Sequence, residues 1–395
     1  MIPAAPRLRF PEFKDPWKPG HAGDAFKNSR AKGAAGLPIY SVTMDRGLVR
    51  RDSIDRHMAA DAADGQNLRA QRGDVVYNMM RMWQGAVGLA PEECMVSPAY
   101  VVLSPKKHTS PEFFDQWFKA KRMLYLLGAY SHGITSDRLR LYADDFSRIP
   151  LNLPSLPEQQ KIAAFLGVVD ARLAALAAKQ AALGRFKAGL MQKLFSQQIR
   201  FMRDDGKAFP DWLDKRLGDV ANIVGGGTPE SHIPEYWDGD IVWFTPTEIK
   251  SKYLQRSKRT ISVSGLKNSS AKLLPVGALL LSTRATIGDV GIATVECCTN
   301  QGFQSLIVKS ENNNEFWYYW LIHNKKALLR KSSGSTFLEI GKSEVLKLSV
   351  EVPHPDEQKM IADALAAMDA KIQAVADQVT KLQTFKKGLL QQMFV

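Results

Sequence analysis

The sequence predicts an α+β protein: two mixed α/β domains separated by a pair of long antiparallel coiled-coil helices, with a pseudo-twofold internal repeat. Three observations carry this. The segment Glu158–Phe195 recurs without a gap as Glu357–Phe394, an offset of 199 residues from Glu158 to Glu357. Its apolar residues step by three and four. The regions before each copy read as short strands, Gly/Pro turns and a few helices. At 395 residues, a prior of roughly 150 residues per domain gives two to three units.

The first variable region, residues 1–152, has strand patterns at Asp74–Tyr77, Gly85–Leu89 and Tyr100–Leu103, then an amphipathic helix near Pro111–Leu127. The central helix, within residues 153–200, has the apolar stripe Leu166, Val169, Leu173, Leu176, Leu183, Leu190 and Leu194, interrupted by Gln180 and Lys187. Ser155 and Glu158 suit a capping box at its start. The second variable region, 201–351, repeats the order of the first: Gly277–Leu281, Asp289–Ala293 and Ser305–Val308, then a helix near Glu315–Leu329. The last helix, within 352–395, keeps the phase with Leu365, Met368, Ile372, Val375, Val379, Leu382, Leu389 and Met393, and Lys386 stands where Lys187 stood. Pro355, Asp356 and Glu357 fit its first turn.

Identities between the copies include Glu158 with Glu357, Asp170 with Asp369, Phe186 with Phe385, Gly189 with Gly388 and Phe195 with Phe394. A single such helix is an ordinary core element. Two matching copies can bury each other's stripes as an antiparallel pair, each a rod of roughly 57 Å at about 1.5 Å per residue.

The chain has 53 basic and 40 acidic residues, a net charge of +13, which points to a polyanionic partner. Basic residues cluster at Lys250, Lys252, Arg256, Lys258 and Arg259 and at Arg46, Arg50, Arg51 and Arg56. Such a run is usually a solvated face; together they suggest phosphate contacts. Sharper candidates are Arg81 and Gln84 in Arg81-Met82-Trp83-Gln84-Gly85, and Arg284 in Ser282-Thr283-Arg284-Ala285-Thr286. Each arginine follows a strand among polar neighbours able to meet base edges.

Catalytic readings fail one by one. Gly225-Gly226-Gly227-Thr228-Pro229 leads into no helix, so a turn requiring positive φ is the expected role. Gly341-Lys342-Ser343 lacks the P-loop glycine, with Thr336 in its place. The nuclease-like letters of Pro355-Asp356-Glu357-Gln358-Lys359 run consecutively at a helix start. The seven histidines show no metal spacing, and no methyltransferase tetrapeptide is present. Cys94, Cys297 and Cys298 make no disulfide framework, which fits a reducing cytoplasm, and Met1–Phe13 carries no signal-like apolar run.

The chain resembles the specificity subunit of type I restriction-modification enzymes. The motifs that carry the resemblance are Leu153-Pro154-Ser155-Leu156-Pro157-Glu158-Gln159-Gln160, Phe186-Lys187-Ala188-Gly189-Leu190-Met191-Gln192 and their second copies. Gly226-Gly227-Thr228-Pro229 with Pro234-Glu235-Tyr236-Trp237-Asp238-Gly239 and Trp243, and Asn300-Gln301-Gly302-Phe303, add to it, as do Tyr77–Gly85 and Val96-Ser97-Pro98-Ala99-Tyr100. The second helix opens with His354-Pro355-Asp356-Glu357, a departure from the usual run, and the first domain lacks the Gly-Gly-Thr-Pro opening.

The resemblance implies a noncatalytic, cytoplasmic reader of double-stranded DNA whose two target-recognition domains each bind half of a bipartite site. It also implies two methyltransferase subunits held on the helices, with restriction-motor subunits joining them. S-adenosylmethionine, ATP and Mg belong to those partners, and no cofactor, metal or catalytic residue to this chain. The alternatives are a specificity subunit of a fused nuclease-methyltransferase system and a non-specific DNA-binding coiled-coil scaffold. Replacing Lys250 and Lys252 is expected to weaken binding to every sequence alike. If the helices act as a ruler, inserting one heptad in each adds about 10 Å, or about three base pairs of target gap; mapped sites with an unchanged gap would count against a ruler.

Overall fold

The computed structural model describes residues 5–54, 66–135, 137–332 and 339–394. The chain forms two compact units: unit 1 is Met1–Ala178 with Val375–Val395, and unit 2 is Lys179–Ala374. Each unit takes one variable region and part of both long helices, Leu156–Phe195 and Pro355–Met393.

Unit 1 contains β1 (Lys18–His21), β2 (Phe26–Ser29), β3 (Ile39–Thr43), β4 (Gly47–Arg50), β5 (Leu68–Ala70), β6 (Val75–Asn78), β7 (Val87–Leu89), β8 (Cys94–Val96), β9 (Tyr100–Pro105) and β10 (Pro150–Leu153). Unit 2 contains β11 (Leu213–Arg216), β12 (Ala221–Gly225), β13 (Trp237–Phe244), β14 (Tyr253–Leu254), β15 (Arg259–Ile261), β16 (Leu279–Leu281), β17 (Val290–Ala293), β18 (Cys297–Thr299), β19 (Gln304–Val308) and β20 (Ser349–Val352). The topologies match. A β1–β10 ribbon in unit 1 corresponds to β11–β20 in unit 2, and a sheet ordered β2-β9-β6-β7 corresponds to β12-β19-β16-β17-β14. A second sheet, β4-β3-β8-β5, corresponds to β15-β13-β18, and in each the central pair is parallel, β3 with β8 and β13 with β18.

The strand sequences explain themselves once the cores are placed. Successive side chains of a strand point to opposite faces. Val75 and Tyr77 enter the large core of unit 1, whereas Val76 enters the smaller core with Tyr40, Cys94 and Val96. Leu279 and Leu281 divide from Leu280 in the same way in unit 2. Both faces are covered, so these strands read as continuous apolar runs instead of alternating ones.

Each predicted amphipathic helix is in fact two. In unit 1, Pro111–Trp117 and Lys121–Ala129 are separated by a bend at which Ala120 has extended φ and ψ; this lets Phe118 and Met123 both reach the core. In unit 2, Asn314–His323 and Lys325–Arg330 break at Asn324, whose side-chain amide donates to the Trp320 carbonyl.

Within each unit the long helices run antiparallel. In unit 1, Leu166, Val169 and Leu173 share a core with Leu382 and Leu389; in unit 2, Leu190 shares one with Leu365. Val169, Leu176, Met368 and Val375 are buried, and Leu183, Ile372 and Val379 half-buried. Lys187 and Lys386, which interrupt the stripe, make cross-helix ion pairs: Lys386 Nζ lies 2.6 Å from Asp170 Oδ1, and Lys187 Nζ 2.5 Å from Asp369 Oδ1. Polar pairs of this kind fix register between helices.

The helix starts are anchored alike. Glu158 is fully buried and accepts from Arg9 Nε and Nη2 (2.7 and 2.8 Å) and Trp17 Nε1 (3.1 Å). In unit 2, Glu357 accepts from Arg200 Nε and Nη2 (3.0 and 2.8 Å) and Trp212 Nε1 (3.1 Å). Next to them, Gln159 and Gln358 accept from the Ser110 and Asn313 amides. Cys94, Cys297 and Cys298 are free and buried, and burial pushes their thiols up to about 11, 12 and 11, leaving them unreactive.

Candidate nucleic-acid interface

In unit 2 three loops are bonded into one surface. The Gly227 amide donates to the Thr299 carbonyl at 2.8 Å, Trp243 Nε1 donates to the Gly227 carbonyl at 2.9 Å, and Thr228 Oγ1 donates to Gln301 Oε1 at 2.5 Å. On the other side of the same loop, the Thr283 amide donates to the Gly302 carbonyl at 2.8 Å. The β12–β13, β16–β17 and β18–β19 connections therefore present Thr228, Gln301 and Arg284 from one rigid support.

The glycines serve this packing differently from the sequence expectation. Neither Gly226 nor Gly227 has a positive φ. A Cβ on Gly226 would lie 1.9 Å from the Asn300 carbonyl oxygen, and one on Gly227 2.3 Å from the Ala271 amide nitrogen. Close approach of backbone to backbone, not turn conformation, demands glycine there.

Arg284 projects from the β16–β17 turn, with its side chain 45% exposed, and pairs with Glu339 at 2.7 Å. The next residue, Ala285, has φ 58°, and the Arg284 carbonyl accepts from the Thr286 amide at 2.6 Å and Ser282 Oγ at 2.9 Å. A left-handed non-glycine residue costs about 1–2 kcal/mol, so this turn is held in place by its own hydrogen bonds. In unit 1 the corresponding β6–β7 turn carries Arg81, exposed, whose Nη1 donates to Gln84 Oε1 at 3.0 Å. The structure thus joins these two candidates as one polar pair.

The basic run of unit 2 divides. Lys250, Arg256 and Lys258 are exposed, and among the described residues none has a carboxylate within ion-pair distance. Arg259 is exposed and lies over the Trp237 ring at 3.4 Å, a cation–π stack that leaves one guanidinium face to solvent. Lys252 is a correction to the sequence expectation. Its side chain is only 15% exposed; Nζ lies 2.6 Å from Glu315 and 3.0 Å from the Tyr319 hydroxyl, with the Tyr318 and Tyr319 rings around it. It fastens the loop to the Asn314–His323 helix and offers no charge to a phosphate. Burial and the Glu315 carboxylate push the neighbouring Tyr253 hydroxyl up to about 12.

In unit 1, Arg46 and Arg50 are exposed on the β3–β4 hairpin beside Asp45 (3.8 Å) and Asp52 (3.1 Å). Exposed pairs of this kind are weak and exchange readily for phosphate. Arg51 is half-buried and engaged, and Arg56 lies outside the described residues. Thr228 and Gln301 stood inside motifs legible in the sequence, but their meeting across 73 residues was not legible. Among the described residues no cluster of His, Cys, Asp and Glu could hold a metal ion, and no helix is long and apolar enough to cross a membrane.

Residues 21–184 and 210–383 match the type I restriction modification DNA specificity domain, once per half. The chain is 35% identical over 207 residues to the type I restriction enzyme MjaIX specificity subunit of Methanocaldococcus jannaschii, covering 51% of this chain and 48% of that protein. It is 37% identical over 102 residues to the Escherichia coli EcoprrI specificity subunit, 25% and 24% of the two chains. The chain spans between 48% and 61% of the length of the curated relatives first matched. A solved chain from work on complex assembly and conformational transition of the type I R-M system shares the fold, with TM-score 0.60 and 19% identity over 100% of this chain and 98% of that one. With two matched domains, one to each half of a duplicated fold, the chain belongs to the type I restriction-modification DNA specificity family.

Proposed function

We propose that this chain is the DNA-reading subunit of a type I restriction-modification enzyme, with residues 1–152 and 201–351 as target-recognition domains that each read half of a bipartite site. The helices within 153–200 and 352–395 hold two methyltransferase subunits, and restriction-motor subunits complete the assembly. Adenine methylation with S-adenosylmethionine and ATP- and Mg-dependent cleavage reside in those partners. The observation that carries the reading is the pair of matching units, each presenting an arginine from the same inter-strand turn, Arg81 and Arg284. Co-expression with the methyltransferase subunit and mapping of methylated adenines tests it: a split target with a fixed gap is expected, and modification without sequence preference would refute it.

Base reading and phosphate contact separate by substitution. Arg284→Ala is expected to relax one half-site, at about 1–3 kcal/mol of lost discrimination, and leave binding to random DNA nearly unchanged. Replacing Lys250, Arg256 and Lys258 together lowers affinity for all sequences and flattens the dependence of log K on log salt by about 2–3. Titrations at several salt concentrations measure both. Equal losses on target and random DNA for Arg284→Ala would remove it as a reader.

A further inference from the structure

In unit 2 a continuous chain of side-chain bonds joins the helix pair to the basic loop. Asp369 of the second long helix pairs with Lys187 through Oδ1 at 2.5 Å and accepts from the Tyr319 hydroxyl through Oδ2 at 2.6 Å. The same hydroxyl accepts from Lys252 Nζ at 3.0 Å, and Lys252 also reaches Glu315 Oε2 at 2.6 Å. Glu315 Oε1 accepts in turn from the Tyr253 hydroxyl. Tyr319 is fully buried, and the ammonium groups of Lys187 and Lys252 lie 4.9 and 4.6 Å from the centre of its ring. Burial, and then the bond to Asp369, pushes its hydroxyl well above the ordinary tyrosine range. Tyr319 therefore keeps its proton and gives it to Asp369, while an oxygen lone pair takes the Lys252 donor.

Unit 1 has the start of this chain and not the rest. Gln116 stands as far after the helix N-cap Ser110 as Tyr319 stands after Asn313. Its amide donates to Asp170 Oδ2 at 2.8 Å, and Asp170 Oδ1 pairs with Lys386 at 2.6 Å. There the chain stops, because Gln116 Oε1 is buried without a hydrogen-bond partner among the described residues. The needs of the helix seam are met alike in both units, so they do not explain the extension through Tyr319 to Lys252.

The backbone of the loop does not explain it either. The Ile292 amide donates to the Lys252 carbonyl at 2.7 Å and the Thr294 amide to the Leu254 carbonyl at 2.9 Å, which already ties β14 to its neighbour. What the extension adds is placement. Lys250, Arg256 and Lys258 lie exposed on either side of a strand of two residues, and a satisfied buried polar network holds one geometry where two backbone bonds leave play. The Arg284 turn has a separate tie, with Lys325 Nζ 2.5 Å from Asp289 Oδ1.

We infer that Lys187, Asp369 and Tyr319 are positioning residues for the basic loop of unit 2: through Lys252 they lock its free cations to the helix pair, and among the described residues unit 1 carries no equivalent lock. This rests on the function proposed above for the DNA that the loop meets. The helix pair then sets the phosphate grip on one half-site and not on the other.

The test titrates the full chain with random duplex DNA and with the mapped target at several salt concentrations. Tyr319→Phe keeps the ring and removes both bonds of the hydroxyl. It is expected to weaken both duplexes about threefold and to flatten the dependence of log K on log salt by about 1, the share of one phosphate contact. The preference for target over random DNA stays, because the Arg284 turn is tied independently. In a chain already carrying Lys250→Ala, Arg256→Ala and Lys258→Ala, Tyr319→Phe has no further effect, since residues that act through one group are not additive. Gln116→Leu, the matched change in unit 1, alters neither affinity nor slope. Should Tyr319→Phe fail to fold, Lys252→Met cuts the chain at its loop end and is read in the same two backgrounds.

A wild-type chain without affinity for duplex DNA overturns the functional reading, and this role with it. Wild-type binding with an unchanged slope in Tyr319→Phe overturns the positioning role alone. So does an equal loss in the triply substituted background, or a lost preference for the target, because either marks a general loosening of unit 2. A matching loss in Gln116→Leu overturns the one-sided lock.

Discussion

Arg9→Ala is expected to destabilise unit 1 by about 3 kcal/mol, the lower end for breaking a buried ion pair. Glu158 is fully buried and gives both oxygens to Arg9 while also accepting from Trp17. Removing the guanidinium leaves a carboxylate in the core with one indole donor. The figure is the lower end because the Arg9 side chain keeps 15% of its surface, so water reaches the vacated place. The carboxylate is also the reason Arg9 holds its proton more tightly than usual, through the hydrogen bonds to Glu158. Arg9→Met with Glu158→Leu should recover most of the loss, because removing both charges removes the uncompensated one. Denaturant unfolding of the two single variants and the double variant gives the cycle. A single-variant loss under about 1 kcal/mol would mean that solvent or a neighbour satisfies Glu158. Arg200 and Glu357 predict the same pattern in unit 2, where Arg200 keeps 22% of its surface and the effect is smaller.

How much of this was legible depended on the range of the interaction. The repeat and the helix seams could be read because they are periodic along one stretch of chain, and every seam residue from Leu166 to Leu389 is buried or half-buried. Strands β6, β7, β9 and their counterparts showed through as apolar runs. The strands β8 and β18 did not: they are short, and what makes Cys94–Val96 or Cys297–Thr299 a strand is pairing with strands brought in by the fold, β3 and β5 for the first and β13 for the second. Glu158 was legible as a helix-start residue, but its partners lie 149 and 141 residues upstream. Charge was misleading in the same way. Lys252 and Lys250 look alike in sequence, and only the Glu315 and Tyr319 side chains, brought in by the fold, separate a fastening lysine from a free one.

Gly226→Ala is expected to cost about 3 kcal/mol or more, the upper range for overpacking, and, under the function proposed above, to abolish reading of the half-site assigned to unit 2. The new methyl would sit 1.9 Å from the Asn300 carbonyl oxygen and 2.5 Å from that of Thr299, both backbone atoms. That backbone cannot give way easily, because β18 is paired with β13 up to Phe244 and Thr299, and the Asn300 amide donates to the Phe244 carbonyl at 3.0 Å. The loop carrying Gly227 and Thr228 must therefore lift, which separates Thr228 from Gln301 and frees the Trp243 indole from its carbonyl. Gly184→Ala is the matched control. It lies in a helix with nothing within 4 Å of its added Cβ, so it should stabilise by up to about 1 kcal/mol. Thermal unfolding with methylation mapping distinguishes the two: the first variant keeps only the unit 1 half-site, the second keeps both. A Gly226→Ala chain with wild-type Tm and an intact bipartite target would show that the loop's rigidity is not what positions the readers.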